Sequence, residues 1–155
     1  MKFDKPKFKP DSSPGFVIHK LDSYLKLGLY RAFQAKGLDF TAEQWGVLFR
    51  LYDCEGVHQS ELGVRSGKDR HNITRILNIL EKKGFIRRAL DKADKRRYNI
   101  YLTQKSLEIK EKLTSTVLDF LEEAFTGLTK KDIIAMKRMH EHIIKNIDDL
   151  LSRIG

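Results

Sequence analysis

The stretch SGKDRHNITRILNILEKKGFIRRALDKADKRRYNIYLT, residues 66–103, decides the fold of this 155-residue chain. Apolar residues recur in its first half at helical spacing and predict an amphipathic helix between Asp69, which caps it, and Gly84, which supplies a stop. Two alternating segments, residues 85–90 and 97–102, then predict strands separated by six charged or small residues. The apolar residues that define the inward helix face are Ile73, Ile76, Leu77 and Leu80.

Helices are predicted on both sides of this stretch. Ser13 and Pro14 mark the start of a first helix, and a capping box from Thr41 to Gln44 opens a second. The element order is four helices, two strands and two more helices, which predicts a mainly α fold with a small β-hairpin. This is a winged helix-turn-helix set between flanking helices. The remaining predicted helix starts are at Gln59, Thr103 and Thr129.

Positive charge is concentrated in the same region. Residues 59–99 hold twelve basic and five acidic residues, which is +7 of the formal net charge of +9. An excess confined to one block indicates a polyanionic partner rather than a general solubility effect. Residues 1–13 form a basic tail that we expect to be mobile, with contact to a partner subunit or a DNA backbone as the alternative.

The outward face of the predicted helix after Asp69 carries side chains that hydrogen-bond base edges in a major groove. We predict that its amino-terminal turns read bases and that neighbouring residues support the contact. The alternative is a solvated helix face, but such a face usually mixes Glu and Lys. The base-reading candidates are Arg70, His71, Thr74 and Arg75, and the further DNA-binding candidates are Lys68, Asn72 and Asn78.

The predicted hairpin is the second candidate DNA-binding element. Its density of cations favours phosphates or an electronegative minor groove, either of which relieves their mutual repulsion. We expect Asp94 to orient Arg96 through a charge-assisted hydrogen bond. Ser60 and Lys68, at the starts of two short helices, are predicted to contact the DNA backbone. The hairpin candidates are Arg87, Arg88, Lys92, Asp94, Lys95, Arg96 and Arg97.

The sequence gives little support to other kinds of chemistry. No glycine-rich phosphate loop, Gly-x-Ser-x-Gly or His-Glu-x-x-His motif is present, so we predict no enzyme activity, no cofactor and no metal site. The single cysteine, Cys54, is interpreted as structural or incidental, because its acidic neighbours disfavour a thiolate. A redox role is the alternative. No apolar run matches a signal peptide or a membrane span, which predicts a cytoplasmic protein without membrane contact.

The motifs of the central block resemble the multiple-antibiotic-resistance regulator (MarR) family of transcriptional regulators. The wing Asp91-Lys-Ala-Asp94-Lys-Arg96, leading to Leu102-Thr103, matches that family's Asp-x-x-Asp-x-Arg run closed by Leu-Thr. The resemblance covers residues 14–125 and departs at Ser106, where the family often has Gly. The other matching segments are Gln44 to Leu48, Leu62 to Val64, Ser66-Gly67, Asn72 to Leu77 and Leu80 to Arg88.

The resemblance implies a homodimer whose first and last helices interlock and whose two winged lobes reach successive major grooves of a pseudo-palindromic operator. Apolar stripes on the terminal helices agree, because so small a chain has too little surface to bury both, although packing within the monomer is the alternative. The predicted organisation is a tail at 1–13, an N-terminal dimerisation helix at 14–40, a winged helix-turn-helix lobe at 41–103 and C-terminal dimerisation helices at 104–155.

The family resemblance further implies a small aromatic effector that releases the DNA. Its candidate lining residues are His19, Tyr24, Trp45 and Phe49, with ordinary core packing as the alternative. The sequence thus predicts a dimeric, sequence-specific transcriptional regulator that represses neighbouring genes. The alternatives are a winged-helix interaction module that docks an acidic partner, and a protein that coats DNA without regard to sequence.

Overall fold

The computed structural model describes residues 9–91 and 93–154. Residues 1–8 of the predicted tail and Lys92 of the predicted wing lie outside the described residues. The fold is mainly helical with one small sheet, as predicted. A short 3-10 helix at Pro10–Ser12 precedes it. The elements are α1 (Pro14–Ala35), α2 (Ala42–Asp53), β1 (Val57–His58), α3 (Gln59–Arg65), α4 (Arg70–Lys82), β2 (Ile86–Leu90), β3 (Tyr98–Leu102), α5 (Gln104–Ala124) and α6 (Lys130–Ile154).

The predicted helix ends are confirmed by their hydrogen bonds. The Ser13 hydroxyl accepts from the backbone N–H of Phe16 at 3.2 Å, so it caps α1. Thr41 and Gln44 form the reciprocal capping box at the start of α2, with donor–acceptor distances of 3.2 and 3.3 Å. Gly84 follows α4 with a φ of 77°, a left-handed conformation that glycine adopts without strain.

The sheet has the strand order β1-β3-β2, and both pairings are antiparallel. The β2–β3 hairpin is the predicted wing, but each strand begins one residue later than predicted. The reason is that the N–H of Phe85 bonds the Leu80 carbonyl at the end of α4, while the N–H of Arg97 bonds the Asp94 carbonyl within the wing turn. Both residues therefore belong to turns.

The strand β1 was not predicted from the sequence. This strand is two residues long, and its Val57 lies opposite Ile100 of β3. The N–H of Gly56 also bonds the Ile100 carbonyl at 2.9 Å. These contacts tie the base of the wing to the segment that leads into α3.

The chain divides into two compact units, residues 1–120 and 121–155. The first unit contains the core, in which the inward face predicted for residues 73–80 is buried. Helices α1, α2, α3 and α5 and the sheet complete this core, which fixes α4 so that its other face is turned outward. Fully buried core side chains include Phe33, Leu48, Leu62, Leu77, Ile100 and Leu113.

The second unit contains α6, which opens with a capping box between Thr129 and Asp132. Within the described part of this unit, no residue of α6 is buried. Among the described residues, no helix is both long enough and apolar enough to cross a lipid bilayer. The most exposed apolar side chains of α6 are Ile134, Met139, Ile144, Leu151 and Ile154.

Candidate nucleic-acid interface

The outward face of α4 begins at its amino-terminal cap. The Asp69 carboxylate accepts hydrogen bonds from the backbone N–H of Asn72 at 2.8 Å and from the Asn72 side-chain amide at 2.6 Å. These two bonds lower the pKa of Asp69. Asn72 therefore takes part in the cap, whereas Arg70 and His71 are exposed in the first turn.

Thr74 joins α4 to α3. Its hydroxyl donates to the Arg70 carbonyl oxygen at 2.6 Å and accepts from the side-chain amide of Gln59 at 2.7 Å. A hydroxyl has one donor and two acceptor positions, so one acceptor position remains open. This predicted base contact thus also links the two helices of the helix-turn-helix.

Glu43 of α2 accepts hydrogen bonds from two of the predicted DNA contacts. Its Oε1 accepts from Lys68 Nζ at 3.1 Å, and its Oε2 accepts from Arg75 Nη2 at 3.2 Å. The hydrogen bond from Lys68 is the main cause that lowers the pKa of Glu43, against the opposing effect of burial. Half of the Arg75 side chain stays exposed, at 50%, so its guanidinium remains accessible from outside.

Arg88, a predicted wing contact, is held against α4. It forms an ion pair with Glu81, which also accepts from the Arg88 backbone N–H at 3.2 Å. A second guanidinium nitrogen donates to Asn78 Oδ1 at 2.9 Å. The Arg88 side chain is only 16% exposed, so its charge is matched within the protein and its position links the wing to α4. The same bond orients the Asn78 amide, with its oxygen toward Arg88.

Two aspartates build the turn at the tip of the wing. Asp91 accepts from the backbone N–H groups of Asp94 and Ala93, both at 2.8 Å, and these bonds lower the pKa of Asp91. The predicted contact of Asp94 with Arg96 is confirmed at 3.2 Å, and Arg97 binds the same carboxylate at 3.3 Å. The Arg96 side chain is 91% exposed, so the turn presents its guanidinium to solvent.

The remaining candidates differ in their surroundings. The Arg87 guanidinium lies 4.5 Å from the centre of the Tyr101 ring, a cation–π contact on the surface of β2 and β3. Lys95 in the wing turn and Ser60 in the first turn of α3 are both exposed. These three side chains are accessible to a partner from outside the protein.

A groove of about 940 Å³ lies between α3, α4 and the wing. Polar and basic residues line it together with Val64, Ile73 and Tyr98, and it lies entirely within the first compact unit. The structure therefore brings candidates from the recognition helix and the wing to one concave surface. The predicted residues that line it are Ser60, Lys68, Arg70, Thr74, Asn78, Arg88, Arg96 and Arg97.

The four effector candidates are not gathered in one place by the described contacts. The rings of Trp45 and Phe49 are 5.4 Å apart, and Trp45 also packs against Tyr52 at 6.4 Å. His19 and Tyr24 are exposed on α1. Within the part of the chain that the structure describes, no ring contact joins either of them to the α2 pair.

Three residues of the interface were not predicted from the sequence: Glu43, Gln59 and Glu81. Each is a polar residue that binds a predicted DNA contact from another element. Glu43 stands in the first turn of a well-marked helix, but nothing in the sequence pairs it with Arg75, which lies 32 residues away. Only the Glu81–Arg88 pair, at a separation of seven residues across a glycine turn, has a local signal.

Comparison with known proteins identifies the family. The model of the MarR family matches residues 40–98, the segment that holds the helix-turn-helix and most of the wing. The HTH-type transcriptional regulator TtmR of Methylorubrum extorquens is 31% identical over 144 residues, which cover 87% of this chain and 71% of TtmR. The chain belongs to the MarR family. It is therefore a DNA-binding transcriptional regulator and not an enzyme.

Solved structures of the MarR family share this fold. A mutant of MarR from Escherichia coli in complex with operator DNA is 25% identical and aligns with a TM-score of 0.76 over 83% of this chain and 91% of that one. PcaV from Streptomyces coelicolor, in complex with its natural ligand, is 20% identical and aligns with a TM-score of 0.78 over 89% of this chain and 96% of that one. The winged helix-turn-helix predicted from the sequence is thus confirmed.

Proposed function

We propose that this MarR-family protein is a homodimeric repressor that binds a pseudo-palindromic operator in a sequence-specific manner. The observation that carries the proposal is the shared groove, which Arg70, Thr74 and Asn78 of α4 line together with arginines of the wing. A duplex offers base edges in the major groove and phosphates on either side of it, so both kinds of contact are available to one surface.

The exposed residues of α4 are suited to base readout. Arg70 and Arg75 carry guanidinium forks that match the paired acceptors of guanine, and His71 adds a further hydrogen-bonding ring. They stand in the first two turns of a helix whose opposite face is fixed in the core, which limits their possible positions. Such a rigid base favours discrimination among sequences over binding of phosphates alone.

The wing is suited to backbone or minor-groove binding. Arg96 and Arg97 share the Asp94 carboxylate, which orients both side chains while leaving them largely exposed. Arginines presented in this way fit the electronegative minor groove beside a major-groove site. The operator complex of the related Escherichia coli protein supports duplex DNA as the partner.

Exposed apolar surface supports the homodimer. Helix α1 exposes Val17 at 55% and Leu27 at 48%, and α6 exposes Ile144 at 58% and Leu151 at 55%. Stable soluble proteins rarely leave extended apolar stripes uncovered, and a second copy of the chain is the simplest cover. Light scattering should give twice the monomer mass of 18.1 kDa, and a monomer at micromolar concentration would refute this part of the proposal.

A small aromatic effector is the last component of the proposal. The partly buried Trp45 packs against Phe49 with the two rings tilted by 44°, and an aromatic acid could contact this pair. Trp45 is the only tryptophan, so titration with benzoate and its hydroxylated derivatives can be followed by its fluorescence. Saturable quenching that Phe49→Ala weakens is expected, whereas an unchanged emission with every compound would count against this site.

DNA binding should be tested on duplexes selected from a randomised pool by the protein itself. We expect a recurrent sequence with two related half-sites, bound about 1000-fold more tightly than a scrambled duplex at moderate salt. Transcription in vitro from a promoter that contains this sequence should fall when the protein is added. Equal binding to all duplexes would favour sequence-blind coating, and no binding to any duplex would favour an acidic protein partner.

A further inference from the structure

We propose that Glu43 is a specificity-determining positioning residue, which holds Arg75 ready for base readout and withholds Arg75 from phosphates. This inference rests on the proposed sequence-specific binding and adds a function for an acidic residue on a cationic surface. By holding Arg75, Glu43 lowers the affinity for DNA of any sequence and enlarges the difference in affinity between the operator and other DNA.

The geometry shows a carboxylate shared between two cations. Oε1 of Glu43 accepts from Lys68 Nζ at 3.1 Å and Oε2 accepts from Arg75 Nη2 at 3.2 Å, so each oxygen serves a different side chain. The Glu43 and Lys68 side chains are 33% and 23% exposed. The two bonds thus tie Lys68, which precedes the cap of α4, and Arg75, on the outward face of α4, to one side chain of α2.

The support for this carboxylate is rigid. Glu43 lies in the first turn of α2, where the helix dipole favours a negative charge. Its neighbour Gln44 is buried and closes the capping box with Thr41, and the following turn enters the core through Val47 and Leu48. The position of the Glu43 backbone is therefore fixed independently of DNA.

The chemistry of arginine explains the advantage. A guanidinium has five N–H donors, and the bond to Glu43 uses one nitrogen while the others remain available. A guanidinium held in one orientation suits the paired acceptors of a base edge, whereas a freely moving one binds a phosphate in many orientations. Removing the carboxylate is therefore expected to favour non-specific contacts over specific ones.

The variant Glu43→Gln tests this role, because the amide has nearly the same shape and no charge. Glu61→Gln is the matched control: it removes the same charge from α3 and breaks an ion pair of 2.5 Å with Arg65, which is not a predicted DNA contact. Combining Glu43→Gln with Arg75→Ala shows whether the effect of Glu43 passes through Arg75. Thermal melts of all variants establish that they are folded.

Affinity is measured by fluorescence anisotropy for the duplex selected by the wild-type protein and for its scrambled version, over a series of salt concentrations. For Glu43→Gln we expect the ratio of the two affinities to fall at least fivefold. We also expect the slope of log affinity against log salt on scrambled DNA to steepen by about 0.9 for each newly bound phosphate per protomer. Glu61→Gln should keep the ratio within twofold, and in the Arg75→Ala background Glu43→Gln should no longer change it.

Each other outcome overturns the inference. A ratio unchanged by Glu43→Gln shows that the bridge has no part in discrimination. An equal fall in the Glu61→Gln control assigns the effect to net charge, and an equal fall in the Arg75→Ala background shows that Arg75 is not the route. If the wild-type protein selects no sequence, the proposed sequence-specific binding is refuted. If it selects a sequence and Glu43→Gln leaves the ratio unchanged, only the role of Glu43 is refuted.

Discussion

Replacing Arg96 with alanine should weaken binding to every duplex by a similar factor. The Arg96 side chain is 91% exposed, and its recorded partner is the Asp94 carboxylate at 3.2 Å. Its removal leaves no cavity and breaks only a surface ion pair, whose contribution to stability is at most about 1 kcal/mol. The fold should therefore be retained, and any change in affinity should come from the lost contact with DNA.

The size of the effect follows from counterion release. Each phosphate contact contributes about 0.9 to the slope of log affinity against log salt on duplex DNA. Between 50 and 200 mM salt one such contact accounts for about a 3.5-fold change in affinity, and two contacts in a dimer account for about 12-fold. Arg96→Ala should therefore reduce the slope by about 0.9 for each protomer. The reduction should be the same on selected and scrambled duplexes, because a phosphate carries no sequence information.

Titrations by fluorescence anisotropy at several salt concentrations measure both slopes. Asp94→Asn is the informative companion, because it keeps the guanidinium and removes the carboxylate that orients it. We expect this variant to retain the wild-type salt slope. If Arg96→Ala left the slope unchanged on both duplexes, or if it lost affinity for the selected duplex alone, a phosphate contact of Arg96 would be excluded.

Three further predictions concern stability and are checked by thermal melts. The pKa of Asp69 is lowered from its ordinary value of 3.8, so its contribution is present above that pH and is lost as the pH falls through the folded value; Asp69→Asn, which keeps a cap, should flatten the acid decline, and an equally steep decline would exclude it as a source. Gly84→Ala should cost about 1–2 kcal/mol because its φ is 77°, whereas Gly46→Ala, in a helix with open space around it, should stabilise by about 0.5–1 kcal/mol; equal effects of the two would refute the backbone argument. Gly28→Ala would place its Cβ 2.6 Å from the Phe120 ring and should destabilise by about 1–3 kcal/mol, and an unchanged melting temperature would show that the ring moves aside freely.

The outward face of α4 could be predicted because one repeating pattern fixes it. Four apolar residues at helical spacing determine which side enters the core, and the structure buries all four. The side chains between them must then point outward. Helix caps are equally local, since Ser13 and Thr41 bond to residues three positions later.

The partners of the outward residues could not be predicted, because they depend on how the helices pack. Thr74 and Arg75 look alike in the sequence as exposed polar residues, yet one bonds Gln59 of α3 and the other bonds Glu43 of α2. The short strand β1 could not be predicted for a related reason. Two residues show no periodicity, and the pairing of β1 with β3 joins residues more than 40 positions apart in the sequence. Contacts of this kind become visible only in three dimensions.

Duplexes with single purines replaced by their 7-deaza analogues provide the most direct measurement of major-groove readout by α4. The substitution removes one acceptor from the groove and leaves the phosphates and base pairing intact. With the wild-type protein, we predict a loss of about 5- to 10-fold at one or more positions of each half-site, as expected for one hydrogen bond. At least one of these losses should disappear in Arg75→Ala. Equal affinity for every substituted duplex would contradict the account.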